Sequence, residues 1–169
     1  RSVPGGAGAT TVRARLTGDA PMPPRMNNPS LVVPDALQPL LDLTKVIGKV
    51  GVPQQTLDLI RLRVSQINGR IYTIPEDLGQ AAEADQRLPQ VAEWREATCF
   101  SPAERAALAL AEDATELTGR EDAVPDEVWQ EAAGLYTEEE LASLVIHIGL
   151  VNLWNRINVA TRQVPAAWR

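Results

Sequence analysis

Residues 58–77 read DLIRLRVSQINGRIYTIPED, and the fold turns on how this stretch is parsed. Leu57, Ile60, Val64 and Ile67 recur at three- and four-residue spacing, with Leu62 beside them, so the stretch begins as an amphipathic helix opened by Pro53. Asn68-Gly69 is a strong local stop, because both residues tolerate the left-handed backbone that ends a helix. A new helix is expected from Pro75 to about Arg87, with Thr73 placed to cap its first N–H groups and Glu76 and Asp77 suited to its positive end. Asp58, Leu62 and Ser65 share a second face of the first helix, which directs Asp58 toward a cleft beside the break.

Working outward, residues 1–28 are rich in Gly, Pro, Thr and Ser, show no period, and read as a flexible arm; residues 29–169 read as a single domain. A first helix is expected to begin near Pro34-Asp35 and to end by Gly51, with Leu37, Leu40, Leu41, Thr44, Val46 and Ile47 as its apolar stripe. A helix is expected over Pro89 to Thr98. Ser101-Pro102-Ala103-Glu104 is a capping box that launches an alanine-rich helix to about Leu117. A short helix follows Pro125, and Thr137-Glu138-Glu139-Glu140 is a second capping box for a last helix reaching about Thr161. That helix is apolar nearly all round, which suits a central element or one buried against another subunit. No alternating pattern is long enough for a strand, so the class is all-α.

Composition narrows the function. The 169 residues are 44% hydrophobic, enough for a core, yet no run approaches the roughly 18 apolar residues of a membrane span. The N-terminal residues lack the pattern of a signal peptide, and a soluble cytoplasmic protein is the expectation. A net charge of −6 without a basic, aromatic-rich run argues against nucleic acid. One cysteine, Cys99, excludes an intrachain disulfide within these residues, and with one histidine no zinc site of His and Cys can be built. No metal and no cofactor are expected.

The LRxSQxNG wording of residues 61–69 resembles the carboxymuconolactone decarboxylase and alkylhydroperoxidase AhpD-like family. The resemblance runs from about Arg25 to Arg162 and includes Arg25-Met26-Asn27, Trp94-Arg95-Glu96, the Phe100-Ser101 to Ala111-Glu112 helix start and Asn152-Leu153-Trp154-Asn155-Arg156. It implies an AhpD-like domain of six to eight helices that assembles as a homotrimer or homohexamer. In redox members the break carries C-x-x-C with a histidine four residues after the second cysteine. Those positions here are Arg70, Thr73 and Asp77, and Asp58 stands where the family's proton-handling carboxylate lies. Arg70 and Thr73 form neither a sulfenic acid nor a disulfide, so thiol peroxidase activity is not expected.

Two readings of the altered break stand side by side. In the first, Arg70 holds a carboxylate or enolate, Asp58 or Asp77 acts as base, Tyr72 donates a hydrogen bond, and Thr73 and Trp154 line the site. That set suits a cofactor-free lyase or isomerase working on a small or polyketide-like acidic substrate by decarboxylation, isomerisation or cyclisation. In the second, Arg70 pairs with Asp58 or Asp77 and the chain is a catalytically silent binding or structural member. His147 has the same double reading: a general acid or base with an apt pKa, or a hydrogen-bonded core residue. It lies one heptad from Trp154, so the two point to one side of the last helix. Asn155 and Arg156 read as structural, closing that helix against the one that carries Asp58.

Overall fold

The computed structural model describes residues 22–69, 85 and 87–163. Within them lie α1 (Pro29–Val32), α2 (Leu37–Ile47), α3 (Gln54–Ile67), a 3-10 helix (Leu88–Glu93), α4 (Pro102–Thr115), α5 (Asp126–Leu135) and α6 (Glu138–Thr161), and no strand. The all-α expectation holds. Both capping boxes form as read. Ser101 accepts from the Glu104 N–H while Glu104 accepts from the Ser101 N–H, and Thr137 and Glu140 repeat the exchange. Each box satisfies two N–H groups that a helix start would otherwise leave bare. The first turn of α6 adds Glu138, Glu139 and Glu140, charges that favour the positive helix end.

α3 is the central element. Leu57, Ile60 and Val64 join a large cluster with Ala107, Leu110 and Ala111 of α4 and Leu144, Ile148 and Val151 of α6. Leu59 and Leu62 project the other way, into a smaller cluster with Leu88, Val91, Trp94, Phe100 and Leu108. Leu59, Ile60 and Val64 have no solvent exposure, so α3 is buried on two sides. The alanines of α4 let it approach α3 closely. As the sequence indicates, α3 stops at Asn68, and Gly69 follows at φ +66, a conformation that a side chain would strain.

Three boundaries differ from the sequence reading. A one-turn α1 precedes α2, capped by Asn28, whose side chain accepts from the Ser30 N–H and hydroxyl. Asp35 takes a left-handed φ of 62, which puts Pro34-Asp35 outside the helix, and α2 starts at Leu37. Pro39 then falls in the first turn, where no N–H is required. α2 ends at Ile47 rather than near Gly51, and Leu41 and Val46 of its expected stripe are exposed. The helix expected over Pro89–Thr98 is a 3-10 helix ending at Glu93.

Arg25 closes the N-terminal side by donating its N–H to Thr161 O at 2.9 Å and its guanidinium to Ala160 O, while the Gln163 side chain donates to Met26 O at 2.7 Å. Across the molecule, Glu112 of α4 gathers three donors. Arg63 of α3 reaches one carboxylate oxygen at 2.6 Å, the Trp94 ring N–H reaches the same oxygen at 2.9 Å, and Arg95 holds the other. Arg95 also stacks over the Trp94 ring, 4.3 Å from its centroid. Burial alone would raise the Glu112 pKa, but the hydrogen bonds from Trp94, Arg95 and Arg63 outweigh it and hold the carboxyl below its usual range.

Two substitutions test these supports by urea unfolding. Ser101→Ala is expected to cost about 1 kcal/mol. Glu112→Gln is expected to cost roughly 2 to 3 kcal/mol, because two guanidinium groups lose their common partner. A lowered folded pKa means that the Glu112 contribution is complete above the unfolded value near 4.5 and is lost as pH falls through the lower folded value. The gap between wild type and Glu112→Gln should therefore close in acid.

Candidate functional site

α6 carries a row of buried polar side chains on a helix otherwise apolar on its inner side: Ser143, His147, Asn152, Asn155 and Asn158. Three of them reach α3 or the residue that ends it. His147 Nε2 lies 2.9 Å from Leu57 O. Since a carbonyl only accepts, Nε2 carries the proton and donates, and in the neutral ring Nδ1 is the basic nitrogen. Asn155 donates to the Ser65 hydroxyl at 3.3 Å. Asn68 donates to Asn152 Oδ1 at 3.0 Å, and Asn152 passes its own N–H groups to Thr115 of α4 and to Ile148 O. The stop signal of α3 is thus fastened to α6 and α4 together.

Asp58 is 9% exposed and accepts from the Gln54 side chain at 2.9 Å, one turn back on α3. It follows directly on Leu57, so the His147 ring and the Asp58 backbone meet on one turn of α3. Burial is the main influence on His147 and lowers its pKa below 6.5; the bond to Leu57 opposes this, and the charge of Arg61 adds to the lowering. The ring is therefore neutral at physiological pH. The structure thus brings a neutral imidazole to the backbone of the α3 turn that also bears a buried carboxylate, and each group by itself can hold or move a proton.

Trp154, expected to line the site, is half-buried against the larger core cluster. Arg70, Tyr72, Thr73 and Asp77 lie outside the described residues. Among the described residues no three His, Cys, Asp or Glu side chains group as a metal site would require, and no helix is long and apolar enough to cross a membrane. The sequence reading gives Gln54 no role, Asn68 only that of a helix stop, and Asn152 only a place in the wording shared with the family. Gln54 was findable as a partner four residues before an acidic side chain on a helix. Asn152 was findable as a polar residue inside the apolar face of the last helix. Asn158 Oδ1 is fully buried without a hydrogen-bond partner among the described residues.

Comparison with known proteins comes down on one side. The model of the carboxymuconolactone decarboxylase family matches residues 34–113. YdfG of Bacillus subtilis, an uncharacterised protein, is 33% identical over 132 residues, covering 76% of this chain and 88% of its own. A solved structure of a protein of unknown function from Agrobacterium tumefaciens, named as a candidate AhpD antioxidant-defence protein, superposes with a TM-score of 0.72. It is 26% identical and covers 84% of this chain and 97% of its own.

The His147 geometry yields a pH prediction. Its folded pKa is depressed, so the unfolded chain takes up the proton first; the stability is complete above the unfolded value near 6.5 and is lost as pH falls through the folded value. His147→Gln keeps a donor for Leu57 O without a titrating ring. Its melting temperature should fall less than that of wild type between pH 7.5 and the acid end of the transition. An equal fall in both would show that His147 does not carry this dependence.

Proposed function

This chain belongs to the carboxymuconolactone decarboxylase family, and from that membership we propose that it is a non-redox enzyme working by acid/base chemistry on a small acidic substrate. The observation that carries the reading is the meeting of His147 with the α3 turn that bears buried Asp58. In this reading Arg70 holds the substrate carboxylate, and Asp58 or Asp77 takes a proton from a carbon beside a carbonyl. The electron pair moves to the carbonyl oxygen as an enolate, which Tyr72 and Arg70 stabilise. Returning the proton at another carbon isomerises the substrate; when carbon dioxide leaves instead, the same enolate is the product of decarboxylation. His147 Nδ1, neutral at physiological pH, serves as the second proton carrier. Thr73 and Trp154 shape the site. No cofactor is required by these steps.

The antioxidant role named for the Agrobacterium protein does not carry over in its dithiol form, because Cys99 is the only cysteine in the sequence. Cys99→Ser is expected to leave peroxide consumption in the presence of dithiothreitol unchanged from the background rate. A competing reading, the silent member, is favoured by two facts: His147 Nε2 is committed to a backbone carbonyl, and Asp58 is bonded to Gln54. One experiment separates them. Wild type and Arg70→Ala are melted against a panel of small carboxylates, lactones and aromatic acids. A ligand at about a hundred times its Kd should raise the wild-type melting temperature by several degrees, and the rise should vanish in Arg70→Ala. No rise with any acid, together with a large loss of stability in Arg70→Ala, would overturn the enzyme reading and leave the silent scaffold.

A further inference from the structure

The outer side of α6 plays no part in the site above. Ala142, Ile146, Gly149, Leu153, Arg156 and Ala160 follow one another in alternating steps of four and three residues, and all are exposed. This is the roughly 3.5-residue period of a helix seam that packs along another helix. The apolar members are not marginally open: Ile146 is 46% exposed, Leu153 38%, and their neighbours Val145 and Val159 40% and 52%. A side chain built at Gly149 would meet nothing within 4 Å among the described residues, which leaves the seam open at its centre.

Charge says what fits there. Exposed Glu138 and Glu139 stand at the start of the seam, and exposed Arg156 lies near its end. We propose that the outer seam of α6 pairs with the same seam of a second copy of this chain, antiparallel, about a two-fold axis at Gly149. In that register Ala142 faces the partner's Arg156, and Val145 faces the partner's Leu153. The partner's Arg156 falls one helical turn from Glu139, within reach of its carboxylate, and the macrodipoles of the two helices run head to tail. A parallel pairing would set Glu139 on Glu139 and Arg156 on Arg156. The seam is self-complementary only in the antiparallel sense, which is what a two-fold contact requires. At its centre the two glycines let the backbones come close. Such a pair is the unit of a dimer or of a hexamer built from three pairs; it is not the unit of a simple trimer.

Sedimentation velocity of the full chain and cysteine cross-linking test this. Wild type should sediment as a species with an even number of chains. Gly149→Glu should reduce it to half the number of chains with its helical content and melting behaviour intact, since the added side chain meets nothing among the described residues of its own chain. In a Cys99→Ser background, Gly149→Cys should form a disulfide-linked pair. Arg156→Cys should not, because the two positions lie roughly 21 Å apart along antiparallel helices. Arg156→Glu should weaken association about tenfold, and adding Glu139→Arg should restore it. Cross-linking by both cysteine variants would mean a parallel contact and overturn the proposal. A wild-type trimer or an association indifferent to Gly149→Glu would do the same. So would a wild-type monomer.

Discussion

A helix buried on two sides has no water to satisfy the polar groups it brings inside, and this constraint on α3 shapes the rest of the molecule. Its apolar positions are divided between two cores, with Ile60 and Val64 in one and Leu59 and Leu62 in the other. Its polar positions then need partners from the helices packed against it. α6 supplies them: His147 for the Leu57 carbonyl, Asn155 for Ser65, Asn152 for Asn68. A buried polar group left unmatched costs roughly 1 to 3 kcal/mol, so this seam admits few registers of α6 on α3. The same matching places the only histidine of the chain on the turn that carries Asp58.

α4 answers the same constraint with charge. Arg63 leaves α3 toward Glu112, where Trp94 and Arg95 complete the set, and the Arg105 guanidinium binds the carbonyls of Trp94, Arg95 and Ala97. One carboxylate with several donors is stable in a buried place where an isolated charge would not be. Much of the wording shared with the family therefore does scaffold work. Trp94-Arg95 and Glu112 form this cluster, Arg25-Met26 ties to the end of α6, and Asn152 and Asn155 make the seam. The chemistry proposed above, in contrast, rests on residues around the break, where this sequence departs from the redox pattern.

The parts legible in the sequence were those set by local rules. Both capping boxes, the stop at Asn68-Gly69 and the stripe of α3 follow from backbone valence and helical period alone. Asn155 was readable as the closure of the last helix on α3, but Arg156, read with it, is exposed on the outer side of α6; of the two readings of His147, the hydrogen bond in the core is present. What escaped was set by tertiary contacts or by single backbone angles. Nothing local announces that Asp35 takes a left-handed turn or that residues 88–93 wind as a 3-10 helix. The last helix read as apolar nearly all round. Its sides differ because buried asparagines answer α3 while Val145, Ile146 and Leu153 face outward, a division that only packing decides. The roles of Arg70, Tyr72, Thr73 and Asp77 rest on the sequence, since those residues lie outside the described part.

The central claim is that His147 is a neutral, Nε2-protonated ring pinned to the α3 turn before Asp58. Because the chain has one histidine, nitrogen NMR of the imidazole across a pH titration reads this without ambiguity. The account predicts a proton on Nε2, a bare Nδ1 at neutral pH, and a titration midpoint below 6.5. A proton on Nδ1 instead, or a midpoint at or above that value, would contradict it.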